Sequence, residues 1–119
     1  MKQRTFLWLA SFEKAWKALG LGEDEYIRLE EMLLQDPRAG DVIEGSGGVR
    51  KMRFALPGKG KSGGIRVIYV DFVVSEKIYM IYAYPKSTKE NLSKAEIADF
   101  RKLTEELKYQ ERKARYGKV

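Results

Sequence analysis

The 119-residue chain has no cysteine and no histidine. Their absence excludes disulfide scaffolds, thiolate zinc sites, histidine-ligated metals, cysteine nucleophiles and every Ser-His-Asp triad. Any chemistry must run without thiol or imidazole. The missing cysteine says little about redox compartment, although it is compatible with a cytosolic protein. Long apolar runs are missing too. The longest, Ile78 to Tyr84, has seven residues, against the roughly 20 that a membrane helix needs. The early run Phe6 to Ala10 is shorter than a signal-peptide core and is soon followed by Glu13 and Lys14. The expectation is a cytoplasmic protein that does not engage a membrane.

What is present is enough for a core: 44% hydrophobic and 12% aromatic residues, with a 34% charged fraction mixed evenly among them. Such a composition argues against disorder, and the length fits a single domain over residues 1–119. The basic tail 112–119 is expected to fray. The 23 Lys and Arg outnumber the 17 Asp and Glu, for a net charge of +6. Residues 1–47 hold six basic and nine acidic side chains, residues 48–92 nine and three, and residues 93–119 eight and five. Positive charge thus concentrates in the middle segment, which suits a surface that meets phosphates or an acidic partner.

Periodicity predicts a strand at Arg4 to Leu9 and then a helix capped by Ser11, with Phe12, Ala15, Trp16 and Leu19 on one stripe. A second helix, from about Glu23 to Gln35, carries acidic residues in its first turn and Pro37 just beyond its end. The glycine-containing segment from Asp36 to Gly48 reads as a connection. Three runs rich in Val, Ile, Tyr and Phe follow: Val49 to Leu56, Ile65 to Val73 and Lys77 to Tyr84. Their short connections favour an antiparallel meander. Ser93 and Glu96 form a capping box ahead of Ile97, Phe100, Leu103 and Leu107, the stripe of a final helix that reaches about Glu111. The expectation is an α+β domain with an antiparallel sheet of about four strands, in the order β-α-α-β-β-β-α. The two N-terminal helices pack on one face.

Alternation on the strands sorts the cations, because side chains at i and i+2 share a face. Lys51 and Arg53 point together, whereas Arg50 falls on the face of Met52 and Phe54. Arg66 begins a face that continues with Ile68, Val70 and Phe72, an unusual place for a charge unless it snorkels or pairs with Asp71 or Glu44. The stretch from Pro57 to Gly64 contains Gly60-Lys61-Ser62, but it is not a phosphate loop: Ala55 stands where the pattern needs glycine, and Gly64 leads into a strand instead of a helix. It reads as a hairpin tip that presents Lys59 and Lys61 to a polyanion. Lys86 and Lys89 lie on the link into the final helix. Tyr82 and Tyr84 share a face, where they either stack on bases or join the core. The acidic pairs Glu30-Glu31 and Glu105-Glu106 read as solvated helix faces, and no carboxylate grouping has the look of a metal site.

The element order, taken with Gly48-Val-Arg-Lys-Met-Arg53, Gly58-Lys-Gly-Lys-Ser-Gly-Gly-Ile-Arg-Val-Ile-Tyr69, Tyr84-Pro-Lys86 and Lys89-Glu-Asn-Leu-Ser93, resembles the RelE/HigB toxins of type II toxin-antitoxin systems. It looks most like the HigB-type host-inhibition branch. The resemblance implies a metal-independent, ribosome-dependent mRNA endoribonuclease without a cofactor. It also implies a cognate antitoxin, of the small helix-turn-helix DNA-binding kind, with the ribosome and mRNA as further partners. Carried over position by position, Lys51, Arg53, Arg66 and Lys86 match the family's catalytic cations, with Arg50, Lys59, Lys61, Tyr84 and Lys89 as RNA- or ribosome-binding residues. The tyrosine that some members place near the final segment has no match here, and the general base is unassigned.

The implied reaction is in-line attack of a ribose 2′-OH on the adjacent phosphate. Arg53 and Arg66 suit bidentate contact with phosphoryl oxygens. A lysine crowded by like charges gives up its proton more readily, the argument for Lys51 or Lys86 in proton transfer. Two other readings fit the same residues: a non-catalytic basic RNA- or ribosome-binding module, and a degenerate regulator that only binds an antitoxin.

Overall fold

A computed structural model describes residues 3–56, 64–89 and 91–117. In chain order its elements are β1 (Thr5–Trp8), α1 (Ala10–Ala18), α2 (Glu23–Gln35), β2 (Asp41–Val42), β3 (Arg50–Phe54), β4 (Ile65–Phe72), β5 (Lys77–Pro85), a 3-10 turn (Lys86–Thr88) and α3 (Lys94–Tyr116). The strands form one sheet in the order β1-β5-β4-β3-β2. The α+β class and the element order agree with the sequence expectation, and three details differ. The sheet is mixed, because β1 lies parallel to β5; the long path through both helices and three strands makes that crossover sterically possible. A fifth, two-residue strand occupies part of the segment expected to be a connection. Lastly, α3 continues past Glu111 to Tyr116, so residues 112–116 are helical instead of frayed.

Local chemistry explains the helices. Phe12 and Trp16, one turn apart, both face inward from α1 and are fully buried. Ser11 does not cap that helix. Its hydroxyl donates instead to the Ile81 carbonyl, which ties α1 to β5. In α2, Glu23, Asp24 and Glu25 sit in the first turn, where carboxylates complement the exposed N–H groups. The Glu25 carboxylate accepts from the Gly22 N–H at 2.7 Å. The capping box of α3 forms as read from the sequence: the Ser93 hydroxyl accepts from the Glu96 N–H at 3.1 Å, and the Glu96 carboxylate accepts from the Ser93 N–H at 2.9 Å.

The sheet has a different cover on each face. Met52, Phe54, Ile65, Val67, Tyr69, Ile78, Met80 and Ala83 pack against α1 and α2 in one cluster with Phe12, Trp16, Tyr26, Leu29 and Leu33. Trp8, Phe12 and Tyr26 interlock edge to face there, with ring centroids 4.3 to 6.2 Å apart. Truncating Phe12 to alanine removes about 3–5 kcal/mol of stability. On the opposite face Ile68, Val70, Tyr79, Ile81 and Tyr84 meet Phe100, Leu103 and Leu107 of α3. A bulge in β5 makes this arrangement possible. Ile68 pairs with Tyr82 but Tyr69 pairs with Met80, which leaves Ile81 as the extra residue. Tyr79 and Ile81 therefore share a face with Tyr82 and Tyr84, although simple alternation would separate them.

Candidate active site

Antiparallel register builds the site. Arg53 on β3 pairs directly with Arg66 on β4, and Arg66 pairs in turn with Tyr84 on β5. Lys51 pairs with Ile68, so Lys51, Arg53 and Arg66 all project from the face that α3 covers in part. Beside the start of α3, these three cations line an open cleft of about 450 Å³ together with Ala39, Asp41, Met52 and Asn91. Arg53 is exposed, and Lys51 and Arg66 are half-buried. None of the ion pairs among the described residues includes any of the three. Asp71, one of the partners considered for Arg66, is instead held by Arg4 through two hydrogen bonds of 2.6 and 3.1 Å. Like charges directly opposite each other on a sheet destabilise it by about 0.2–1 kcal/mol. The Arg53–Arg66 pair carries that penalty with no carboxylate among the described residues bonded to either side chain.

The remaining sequence-derived residues scatter. Lys86 opens the 3-10 turn at the same end of the sheet, and its N–H donates to the Gly64 carbonyl at 3.2 Å. It does not line the cleft. Arg50 faces the other side, paired with Tyr69, and donates to the Gly40 carbonyl at 2.6 Å. Lys89 forms an ion pair with Glu96 and lies 5.2 Å from the Tyr84 ring centroid. Each partner favours the other's charged form: the Glu96 bond raises the Lys89 pKa and the Lys89 bond lowers that of Glu96. Tyr84, which the resemblance carries over as an RNA-binding residue and the alternation leaves between base stacking and core, takes the core place. Its ring is 2% exposed, enclosed by the cluster beneath α3, so it belongs to the core. Burial pushes its phenol upward, against the pull of Arg66 and Lys89. Lys59 and Lys61 lie outside the described residues.

Two cleft residues escaped the reading of the sequence. Asp41 sits on the two-residue edge strand β2, directly paired with Lys51. A strand that short shows no alternation, and its glycine-containing surroundings read as a loop. Asn91 precedes the capping box of α3, and only the packing of that helix brings it over β3 and β4. Among the described residues no three His, Cys, Asp or Glu side chains gather where they could hold a metal ion. Nor is any described helix long and apolar enough to cross a membrane.

A sheet face with an open cationic cleft, one helix over part of it and two helices behind can be compared with known proteins. The E. coli toxin RelE, an arginine-to-alanine double variant in the free state, shares this fold with a TM-score of 0.50. The two are 18% identical, and the match covers 76% of this chain and 90% of that one. A family model for the RelE toxin of the RelE/RelB toxin-antitoxin system matches residues 9–115. That span takes in both helical layers and all but the first strand in full, and the protein belongs to the RelE family of toxin-antitoxin toxins.

Proposed function

We propose that this toxin is a ribosome-dependent mRNA endoribonuclease, of the HigB-type branch, that blocks translation by cutting the message. The observation that carries this reading is the Arg53–Arg66 pair. Two guanidinium groups held opposite each other, flanked by Lys51 and lining an open cleft, weaken the free protein and gain a favourable partner when a phosphate enters. In the reaction the ribose 2′-oxygen attacks the adjacent phosphorus and the 5′-oxygen leaves. Arg53 and Arg66 hold the phosphoryl oxygens as negative charge builds on them. Lys51 supplies a proton to the leaving oxygen, and Lys86, at the same end of the sheet, contacts the neighbouring backbone phosphate. The ribosome supplies substrate alignment, so the protein needs few groups of its own. A cognate antitoxin, a small helix-turn-helix protein, neutralises the toxin until it is removed.

Inducible expression of wild type and Arg66→Ala, with growth followed and the 5′ ends of cellular mRNA mapped in the same cultures, tests this. Growth arrest with new cuts inside translated regions, both abolished by the substitution, is the expected result. Intact mRNA under stable wild-type expression would leave a non-catalytic binding module as the answer. Such a module would also tolerate Arg66→Lys, whereas bidentate transition-state contact does not.

A further inference from the structure

The cleft described so far lacks an evident proton acceptor. Attack by a 2′-OH requires that its proton be removed, and Lys and Arg at neutral pH are proton donors. Tyr84 does not fill the gap, since its hydroxyl is buried and burial disfavours the phenolate. Among the described residues that line the cleft, Asp41 is the one carboxylate. Its register partner is Lys51, which places the two side chains on the same face, with Cβ atoms roughly 4.5–5.5 Å apart. It is exposed and takes part in no ion pair among the described residues. By contrast, the carboxylates of Asp71, Glu96 and Glu111 are paired, with Arg4, Lys89 and Lys77 respectively.

The backbone beneath Asp41 is held unusually firmly for a two-residue edge strand. The buried Tyr69 hydroxyl accepts from the Gly40 N–H at 2.9 Å and donates to the Pro37 carbonyl at 2.8 Å. Beside it on the same face, the Arg50 guanidinium donates to the Gly40 carbonyl at 2.6 Å. Gly40 itself lies so close to β3 that a Cβ there would meet the Lys51 carbonyl carbon and oxygen at 2.9 Å. Only glycine fits that approach. A core phenol and a strand arginine thus converge on Gly40, the residue that immediately precedes Asp41. Rigid support of this kind is what a group in a reacting constellation needs.

We propose that Asp41 is the general base of this toxin, and that Tyr69, Arg50 and Gly40 are its positioning residues. The assignment rests on the endoribonuclease reading. The Asp41 carboxylate takes the proton of the attacking 2′-OH as the 2′-oxygen bonds to phosphorus. The bond from phosphorus to the 5′-oxygen breaks, and the Lys51 ammonium gives a proton to that leaving oxygen. The products are a 2′,3′-cyclic phosphate and a free 5′-OH, and solvent restores both side chains to their starting protonation. No oxidant, reductant or metal enters the balance. The charged groups that face Asp41 across the cleft are Lys51 and Arg53 from β3 and Arg66 from β4, while neutral Asn91 faces it from the start of α3.

The test is single-turnover cleavage of mRNA on programmed ribosomes by wild type, Asp41→Asn and Asp41→Glu across pH, with thermal melts as a folding control. Affinity is measured in parallel on the same complex, carrying a 2′-deoxy nucleotide at the cut position so that it cannot be cleaved. Asp41→Asn should cleave about a hundredfold or more slowly, lose the acid limb of the pH–rate profile, and bind the deoxy complex as tightly as wild type or more tightly. Asp41→Glu should recover part of the rate. If Asp41→Asn cleaves as fast as wild type, Asp41 is not the base. Slower cleavage with an unchanged pH profile and equally weakened binding would also overturn the assignment. If wild type itself binds the unmodified complex without cutting it, the endoribonuclease reading fails first.

Discussion

At one end of β4, Arg66 faces Arg53 and bonds to no carboxylate among the described residues; at the other end, Asp71 is clasped by Arg4, with side chains 10% and 6% exposed. The far end repeats the pattern on the α3 face, where the buried Glu111 carboxylate accepts from Tyr79 and, at 3.0 Å, from Lys77. The same residue classes therefore serve opposite purposes within one sheet. Charges satisfied by protein hold α3 and β1 in place. The cleft cations Lys51, Arg53 and Arg66 take part in no ion pair among the described residues.

The contrast can be broken or sharpened from either end. The largest effect belongs to Arg66→Ala in purified protein: cleavage should fall about a hundredfold, equivalent to about 2.7 kcal/mol, while the melting temperature stays level or rises. A drop in melting temperature alongside the rate would show that Arg66 supports the fold. Asp71→Ala should behave in the reverse manner, with a loss of about 2 kcal/mol because it strands the Arg4 charge, and with cleavage by the folded fraction retained. Denaturant titration beside the cleavage assay separates the two.

Smaller is Glu111→Gln, which should remove about 1–2 kcal/mol at neutral pH. Burial acts to raise the Glu111 pKa, but hydrogen bonds from Ser75, Tyr79 and Lys77 outweigh it and leave it below the ordinary value. A carboxyl lowered by folding stabilises the native state above its unfolded pKa, and that contribution is lost as pH falls through the folded one. Wild type should accordingly lose stability on acidification more steeply than Glu111→Gln in melts taken over that range. Smallest is Arg53→Gln. Relief of its like-charge contact with Arg66 should raise stability by about 0.2–1 kcal/mol as cleavage declines. A destabilised Arg53→Gln would contradict the idea that this pair is maintained against the interest of the fold.

Much of the molecule was legible from residue order. The capping box at Ser93 and Glu96 and the apolar stripe of α3 appear where local chemistry put them, because caps and periodicity act within a few residues. Alternation alone also placed Lys51 and Arg53 on one face and Arg50 on the other. The site was less legible. Tyr84 pairs with Arg66 on one face, yet packing under α3 removes it from solvent. Lys89, exposed in any one-dimensional reading, is occupied by a carboxylate seven residues on, at the start of α3.

The absence of histidine and cysteine, the cationic middle segment and the strand periods belong to the sequence by itself, and they limit any chemistry to cations, carboxylates and hydroxyls. Which of those groups share a cleft was decided only in three dimensions. Register set Arg53 against Arg66 and Asp41 against Lys51, and the bulge at Ile81 turned Tyr82 and Tyr84 onto the face of Tyr79. The contact of β2 with β3 depends on a glycine that touches a backbone eleven residues away and on a phenol contributed by a third strand. Pairings of that kind arise from packing between distant segments, and no local pattern encodes them.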